Sequence, residues 1–556
     1  MALVQRATDA RTTVADTLAR ALANLGATHA FGILGGAIAP FARALAHHAV
    51  RIVHTRHEAG AAFAATEACF ASGRPSVVFA TTGPGVLNAL TGMAAARWEG
   101  ARVVLVSGAT GADQRGRWAF QETSGPIGRD VFHYAQSIEA LDELGPVVRR
   151  LRAGCARPEG FVAHLSVPLP MQTSQHRALA DDAGAHASSG VGAEAIARVA
   201  ALVTRVPIAI WVGFGARDVA DDVRKLAERL EAPVMCSPRG KGIFPERHPL
   251  FAGVTGLGGD HAVARRLGAA RFTLVLGSRL GELSSFWDPA LVAPEGLIHV
   301  DLDPAVFGAA YPHVPTFGVH AEIGAFLRGL LARLGRGPRR PRRPVAAPPA
   351  AVALPASRSP VRPSVLLAEI QRTIVERSDA IVMTEAGNAF AWGTHALRFD
   401  RPRYRVSTGF GSMGQATAGV VGAALAAGRA VAIVGDGAML MNSEVSTAVQ
   451  YGARAVWIVL NDSRYGMIEQ GMRSQGWQPL ATAIPTTCFA TIARAMGALG
   501  IRVIDEVDLP DALAQAMAHD GPVVVDVIVD PDEQAPIGRR IKNLIAQGAH
   551  ALEDQT

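Results

Sequence analysis

The chain has 556 residues, of which 49% are hydrophobic and 18% are charged, a composition that suits several folded cores and excludes a disordered chain. Its net charge of +6 comes from 54 basic and 48 acidic residues. Seven arginines and no acidic residue lie between positions 335 and 363, so the rest of the chain is nearly neutral, which argues against a nucleic-acid-binding protein.

Membrane insertion and secretion are also not expected. The chain contains no uncharged apolar run of about eighteen residues, the length needed to span a membrane. The N-terminal segment has no apolar stretch followed by a small-residue cleavage site. The four cysteines, Cys69, Cys155, Cys236 and Cys488, lie far apart and have no metal-site spacing, so we expect free thiols in a reducing compartment. These features predict a cytoplasmic protein.

Short apolar runs predict β-strands in every third of the chain. Their hydrophobicity is continuous and does not alternate, so helices are expected to cover both faces of each sheet. The predicted strands are 76–80, 103–107, 161–166, 208–212, 272–276, 297–300, 381–383, 430–434, 455–460 and 522–528. We therefore predict an α/β fold of three successive domains, each with a central, mostly parallel sheet flanked by helices.

Composition shifts divide the chain into these domains. Segment 335–363 holds eight prolines beside its seven arginines, and such a linker cannot form helix or sheet ladders. The predicted domains are 10–175, 190–334 and 364–535, with a C-terminal tail at 536–556.

Two motifs of the first domain place a polar side chain where a strand leads into a helix. Glu58, in Arg56-His57-Glu58-Ala59-Gly60-Ala61, opens a predicted helix after an apolar run. A glutamate there can simply serve the helix dipole. Thr82-Gly83-Pro84-Gly85, followed by Asn88, forms a tight turn after strand 76–80, and its glycines need no other explanation.

Two segments of the third domain resemble anion-binding or packing loops. Glu385-Ala386-Gly387-Asn388 follows strand 381–383, and the backbone amides at the start of the next helix suit an anion. Gly411-Ser412-Met413-Gly414 carries one large apolar residue, Met413, for which a core position is the competing interpretation.

The most informative segment is 430–466. It contains a buried strand, the turn Gly435-Asp436-Gly437, a helix, a second apolar strand and then Asn461-Asp462. This order places the ends of both strands side by side at one edge of a parallel sheet. Oxygen side chains there suit Mg²⁺, and glycines let backbone amides approach a phosphate. A lone Gly-Asp-Gly can also be an ordinary turn.

Together these motifs resemble the thiamine-diphosphate (ThDP) enzymes, in particular the acetolactate synthase-like members. The resemblance implies a pyrimidine-binding domain, a central Rossmann-like domain and a diphosphate-binding domain, in that order. It implies that Glu58 bonds the pyrimidine ring of ThDP and that Met413 supports the bent cofactor. The other implied cofactor-binding residues are Gly35, Gly36, Pro84, Asn88, Gly387, Asn388, Gly411, Gly435, Gly437, Ala438, Tyr465, Gly466 and Met467.

The implied metal site departs from the family pattern. Alignment through Gly466 and Met467 makes Asp436, Asp462 and the carbonyl of Arg464 the Mg²⁺ ligands, with Asp462 where the family usually has asparagine. The spacing is one residue shorter than the resemblance leads us to expect, so Asn461 stays an alternative ligand. Two carboxylates predict tighter metal retention than one carboxylate beside an amide.

The reaction is suggested by Phe120-Gln121-Glu122, which resembles a segment of acetolactate synthases whose phenylalanine and glutamine line the acceptor pocket. An ordinary loop is the alternative. Gly471 stands where those synthases carry tryptophan, so we expect a wider acceptor side. The resemblance implies a carboligase that transfers a unit from a decarboxylated 2-keto acid, with pyruvate as the expected donor, to a carbonyl acceptor. A non-oxidative 2-keto acid decarboxylase and an FAD-dependent 2-keto acid oxidase are the alternatives.

Two further features follow from the resemblance. Gly240-Lys241-Gly242 and His299-Val300-Asp301 resemble FAD-containing relatives, but Gly277-Ser278-Arg279-Leu280 departs from them, so FAD stays open. The resemblance also implies a homodimer or homotetramer. Each active site would then lie between the first domain of one subunit and the third domain of another.

Overall fold

The computed structural model describes residues 11–122, 126–179, 192–335, 357–441 and 443–549. Residues 336–356 of the predicted linker and residues 550–556 of the predicted tail lie outside these ranges.

Three six-stranded sheets organise the described chain, and every strand pairing within them is parallel. In spatial order the N-terminal sheet contains Arg51–His54, His29–Gly32, Ser76–Ala80, Arg102–Ala109, Phe161–Pro168 and Tyr134–Ser137. The central sheet contains Phe251–Val254, Val234–Cys236, Ile208–Val212, Phe272–Leu276, Leu297–Asp301 and Thr316–His320. The C-terminal sheet contains Tyr404–Val406, Ile381–Thr384, Ala430–Gly435, Ala455–Asn461, Val523–Ile528 and Leu499–Val503. A short antiparallel pair, Arg11–Thr13 with Gln175–Arg177, stands apart.

Helices cover both faces of these sheets. The α-helices are Val14–Asn24, Ala39–His47, Glu58–Ser72, Pro84–Glu99, Leu144–Cys155, Leu169–Thr173, Ala193–Val203, Ala220–Leu230, Val263–Arg266, Glu282–Ser285, Ile323–Leu334, Pro363–Ile370, Asn388–Ala396, Gln415–Ala427, Asp436–Met439, Glu444–Tyr451, Gly466–Ser474, Phe489–Ala495, Leu509–Ala518 and Gly538–Ala546. No helix in the described ranges is long and apolar enough to cross a membrane.

The predicted fold class is confirmed. All ten predicted strands are present, the last of them beginning at Val523. The central strand Ala455–Asn461 is buried at every position, as continuous hydrophobicity requires when helices cover both faces. Eight strands of the three sheets escaped prediction, among them His29–Gly32 and Tyr404–Val406. All eight have only three to five residues, and several carry polar side chains, so a hydrophobic run does not mark them.

The first and third domains meet through helices Glu58–Ser72 and Gln415–Ala427. Both helices are rich in alanine and glycine and are buried over most of their length. A Cβ added at Gly422 would clash with the carbonyl of Ala64, and one added at Gly419 would lie 2.7 Å from Glu67 Cγ. The small residues therefore allow the two backbones to approach closely, which places the start of the Glu58 helix against the third domain.

Candidate cofactor site

Glu58 lies at the first position of helix Glu58–Ser72, and its carboxylate is buried. Asn88, in the second turn of helix Pro84–Glu99, donates from Nδ2 to Glu58 Oε2 at 3.0 Å. Glu58 Oε1 faces the first turn of that helix, because a Cβ added at Gly85 would lie only 3.1 Å from this oxygen. The two motifs that the sequence analysis treated separately therefore form one group around a single carboxylate.

Two more predicted residues join this group. Gln121 Oε1 accepts a hydrogen bond from Thr82 Oγ1 at 3.1 Å, and Gln121 itself has a positive φ of 55°. Gly35 lies beside the same turn, since an added Cβ would be 3.0 Å from Thr81 Oγ1. Gly36 begins the short 3₁₀ turn that follows. Phe120 directly precedes Gln121, and 89% of its surface is exposed in one chain.

Asp436 and Asp462 form a second group at the C-terminal edge of the third sheet. Asp436 follows strand Ala430–Gly435, Asp462 follows strand Ala455–Asn461, and these two strands are neighbours. Burial, together with the negative charge of Asp436, raises the pKa of Asp462 to about 7. Burial also raises the pKa of Asp436. A carboxylate pair in which the charge of one opposes the ionisation of the other suits a cation between them.

Asn461 faces away from this carboxylate pair. Its Nδ2 donates to Asp526 Oδ1 at 2.8 Å and to the carbonyl of Thr487 at 2.9 Å. Successive side chains at a strand end point in opposite directions, so the residue that follows Asn461 returns to the Asp436 side. Between the two ligands that the sequence left open, the geometry favours Asp462. The backbone amide of Arg464 donates to Asp436 Oδ2 at 3.3 Å, which brings the third predicted ligand residue to the same place.

A cradle for an anion lies next to the two aspartates. A Cβ added at Gly466 would be 2.7 Å from Asp462 Oδ2 and 3.0 Å from Asn388 Nδ2. Asn388 opens helix Asn388–Ala396 after Gly387, whose φ is +95°. Asn388 Oδ1 is buried and has no hydrogen-bond partner among the described residues. These features fit a Mg²⁺-bound diphosphate. The two carboxylates suit the cation, the start of the helix and the unpaired buried Asn388 Oδ1 suit a bound polar group, and the site has no room for a side chain at Gly466.

The remaining predicted residues lie around this cradle. Gly435 precedes the short helix Asp436–Met439, which contains the buried Gly437 and Ala438. The ring of Tyr465 would lie 2.6 Å from a Cβ at Gly437. Met467 packs against the core of the third domain. Gly411 and Met413 lie on the loop before helix Gln415–Ala427, and 39% of Met413 is exposed, so it is not a core methionine within one chain.

Comparisons with known proteins identify three domains of one family along the chain. The family described as "Thiamine pyrophosphate enzyme, N-terminal TPP binding domain" matches residues 12–126, the central domain of the same family matches 196–330, and its C-terminal TPP binding domain matches 385–527. The chain is 30% identical over 521 residues to "Putative acetolactate synthase large subunit IlvB2" of Mycobacterium tuberculosis, covering 87% of this chain and 92% of that protein. The chain belongs to the thiamine-diphosphate enzyme family.

Two further relatives place it in the acetolactate synthase-like group. It is 27% identical over 547 residues to acetolactate synthase isozyme 1 large subunit of Escherichia coli, with 94% of this chain and 95% of that protein covered. It is 28% identical over 583 residues to the acetolactate synthase large subunit of Corynebacterium glutamicum, with 94% and 88% covered. The predicted resemblance is confirmed, and the chain is a ThDP-dependent enzyme of the carboligase and lyase group. The FAD alternative rests on the sequence segments alone.

Sequence reasoning missed one residue of this ThDP enzyme that acts on Glu58 from the third domain. Glu444, buried at the start of helix Glu444–Tyr451, accepts from the backbone amides of Arg56 and His57 at 3.1 Å each. These are the two residues that precede Glu58. In the sequence Glu444 is one of several first-turn glutamates, and no local signal distinguishes it, because its partners lie almost four hundred positions away.

Glu385 is a second buried carboxylate that the sequence analysis quoted without a role. Its Oε2 accepts from the amide and the hydroxyl of Thr417 at 2.9 and 2.7 Å, and its Oε1 accepts from the amide of Ala386 at 3.0 Å. Burial raises its pKa. Glu385 therefore ties the end of strand Ile381–Thr384 to the first turn of helix Gln415–Ala427, and so connects the Gly387-Asn388 turn to the loop that carries Met413.

Proposed function

We propose that the protein decarboxylates a 2-keto acid, with pyruvate as the first donor to test, and transfers the remaining unit to a carbonyl acceptor. Support comes from the two half-sites in one chain: a buried glutamate held by Asn88, and an aspartate pair beside the Gly466 cradle. Bound ThDP would supply a nucleophilic carbon and would accept the electron pair that the keto acid leaves when it loses CO₂.

The side chains of this protein have distinct roles in the proposal. Glu58 would hydrogen-bond the pyrimidine ring of ThDP, while Asn88 fixes its Oε2. Asp436, Asp462 and the carbonyl of Arg464 hold Mg²⁺, and the backbone at Gly387 and Asn388 binds the diphosphate. Gln121, bonded to Thr82, orients the acceptor next to Glu58, and Phe120 helps to exclude water.

We infer that a second copy of the chain completes each site. Phe120 and Met413 are predicted to enclose the reacting groups, yet 89% and 39% of their surfaces are exposed in one chain. Leu87, beside Asn88, and Leu480 are exposed by 53% and 76%. Exposed apolar side chains around both half-sites support a homodimer or homotetramer in which partner subunits cover them. We place this assembly in the cytoplasm.

Product analysis with ThDP, Mg²⁺ and labelled pyruvate tests the reaction. A longer hydroxyketone or hydroxy acid that incorporates an added aldehyde or ketone is the expected product. Free aldehyde as the sole product indicates the decarboxylase, and peroxide release from a yellow protein indicates the oxidase; either result contradicts the proposal.

Replacement of Glu58 by glutamine tests the assignment of the carboxylate. Because a positioned acid–base group contributes about 10² to 10⁴ in rate, Glu58→Gln should lower kcat by at least about a hundredfold. Circular dichroism and ThDP titration of the same variant show whether the fold and the diphosphate half-site persist. Undiminished turnover would exclude this role for Glu58.

A further inference from the structure

A cleft of about 540 Å³ lies where all three domains meet. The first domain contributes the end of helix Glu58–Ser72 and the start of strand Arg102–Ala109, and the central domain contributes the loop after strand Ile208–Val212. The third domain contributes strand Tyr404–Val406 and its approach. This cleft is separate from the cofactor groups, because it meets the first and third sheets at their N-terminal edges, whereas Glu58 and the aspartate pair belong to the C-terminal edges.

Arginine dominates the lining of the cleft. Its ionisable groups, other than the buried thiol of Cys69, are Arg102, Arg217, Arg403, Arg405, Glu67 and Asp218. Four guanidinium groups thus face two carboxylates, which leaves an excess of two positive charges.

Most of these arginines have no strong carboxylate partner among the described residues. Arg405 is the exception, with Nε 3.1 Å from Glu67 Oε2. Arg217 lies 3.6 Å from Asp218, whose side chain is 80% exposed, so that pair is weak. Arg102 and Arg403 donate to backbone carbonyls, including those of Cys155 and Ala380. Burial, reinforced by the charge of Arg405, lowers the pKa of Arg217. In the part of the chain that the structure describes, Arg102, Arg217 and Arg403 therefore lie close together without a strong ion pair to neutralise their charges.

Two phenylalanines hold the guanidinium groups in place. Phe70 and Phe214 meet edge to face with ring centroids 5.2 Å apart. The guanidinium carbon of Arg405 lies 4.0 Å from the centre of the Phe70 ring, and that of Arg217 lies 4.4 Å from the centre of the Phe214 ring. These ring contacts restrict the movement of both guanidinium groups, and a guanidinium can bind two oxygens of one phosphate through parallel N–H bonds.

We propose that this cleft binds a small phosphorylated metabolite. Its volume lies within the range of small-molecule sites, roughly 300–1,000 Å³. A phosphate dianion supplies the two negative charges that the cleft lacks, and the arginine forks match its oxygens. Arginines of all three domains then contact one ligand, so binding stabilises the arrangement of the domains.

The position of the cleft connects the ligand to the cofactor site. Helix Glu58–Ser72 has 15 residues, begins with Glu58 and ends at Gly73, which lines the cleft. Helix Pro84–Glu99 begins against Glu58 and ends at Gly100, which also lines the cleft. The two sites are therefore joined by rigid helices of about 22–24 Å. A ligand in the cleft would therefore lie about one helix length from Glu58, too far to react there, so we assign it the role of an effector and not of a substrate.

Binding of fructose 1,6-bisphosphate to the enzyme saturated with ThDP and Mg²⁺ tests the proposal. Saturation fills the diphosphate site, so the probe cannot report on it. Calorimetry should show binding of the bisphosphate, no binding of fructose and weaker binding of succinate. Arg217→Gln removes the least engaged charge and should raise Kd at least about tenfold, the usual effect of losing a charged hydrogen bond.

Arg224→Gln is the matched control. Arg224 lies on the neighbouring helix Ala220–Leu230, pairs at the surface with Asp221 and does not line the cleft, so its loss should leave Kd unchanged. No binding of the bisphosphate, a preference for succinate, or equal Kd values for the parent and the Arg217→Gln protein would each overturn the proposal. None of these readouts depends on turnover, so failure here is distinct from failure of the proposed reaction.

Discussion

Glu444 offers the sharpest test of how the third domain positions Glu58. The substitution Glu444→Ala removes the acceptor of the amides of Arg56 and His57 and of the Thr447 hydroxyl, the last at 2.5 Å. Leaving a buried donor unsatisfied costs about 1–3 kcal/mol, and these amides are only partly buried. We therefore expect the free energy of unfolding to fall by about 2–4 kcal/mol.

Turnover should fall as well, because the two released amides belong to the residues directly before Glu58. A displacement of about 1 Å at a reacting group can cost about a hundredfold in rate. We expect kcat of Glu444→Ala to fall about 10- to 100-fold, with a smaller change in KM. Urea denaturation at fixed protein and cofactor concentrations gives the stability change, and steady-state kinetics gives the rate.

Two further variants separate positioning from general damage. Glu444→Gln keeps one acceptor oxygen for the amides and should retain most stability and activity. Gly60→Ala leaves Glu444 intact but places a methyl group against its Oε1, so it should reproduce part of the loss. If Glu444→Ala kept parental stability and kcat, the argument that this carboxylate positions Glu58 would be wrong.

Three other substitutions probe the metal site, the acceptor side and a buried histidine. Asp462→Asn removes one of two carboxylates and should raise the Mg²⁺ concentration for half-maximal activity about tenfold; an unchanged Mg²⁺ titration would remove Asp462 from the ligand set. Gly471→Trp should narrow the acceptor range toward small ketones, since no atom lies within 4 Å of an added Cβ there; an unchanged product panel would argue against this position. Burial lowers the pKa of His164 from 6.5 to about 4. Protonation of His164 therefore does not reduce the free energy of unfolding above pH 6.5, but it reduces it progressively as the pH drops toward 4. His164→Gln should make the pH dependence of unfolding less steep over that range by up to about 1.4 kcal/mol per pH unit, and an identical slope in urea melts would contradict the assignment.

The sequence alone was sufficient for the three-domain α/β fold and for the main cofactor motifs. Continuous apolar runs such as Ala455–Asn461 predict buried parallel strands, because only side chains covered on both faces lose their alternation. The glycines on either side of Asp436, together with Asp462 after the next strand, predict a phosphate and metal site, because strand ends in a parallel sheet meet at one edge. These inferences are local, so they need only the order of residues and the regular geometry of strands and helices.

Tertiary structure decided what depends on partners distant in the chain. Asn461 and Asp462 are equivalent candidates in the sequence, and only the hydrogen bond from Asn461 to Asp526 shows which of them turns away from Asp436. Glu444 acquires its role from Arg56 and His57, and the arginine cleft exists only because segments of three domains meet. Such contacts join residues hundreds of positions apart, and side-chain direction and burial at those points are set by the packing of whole domains.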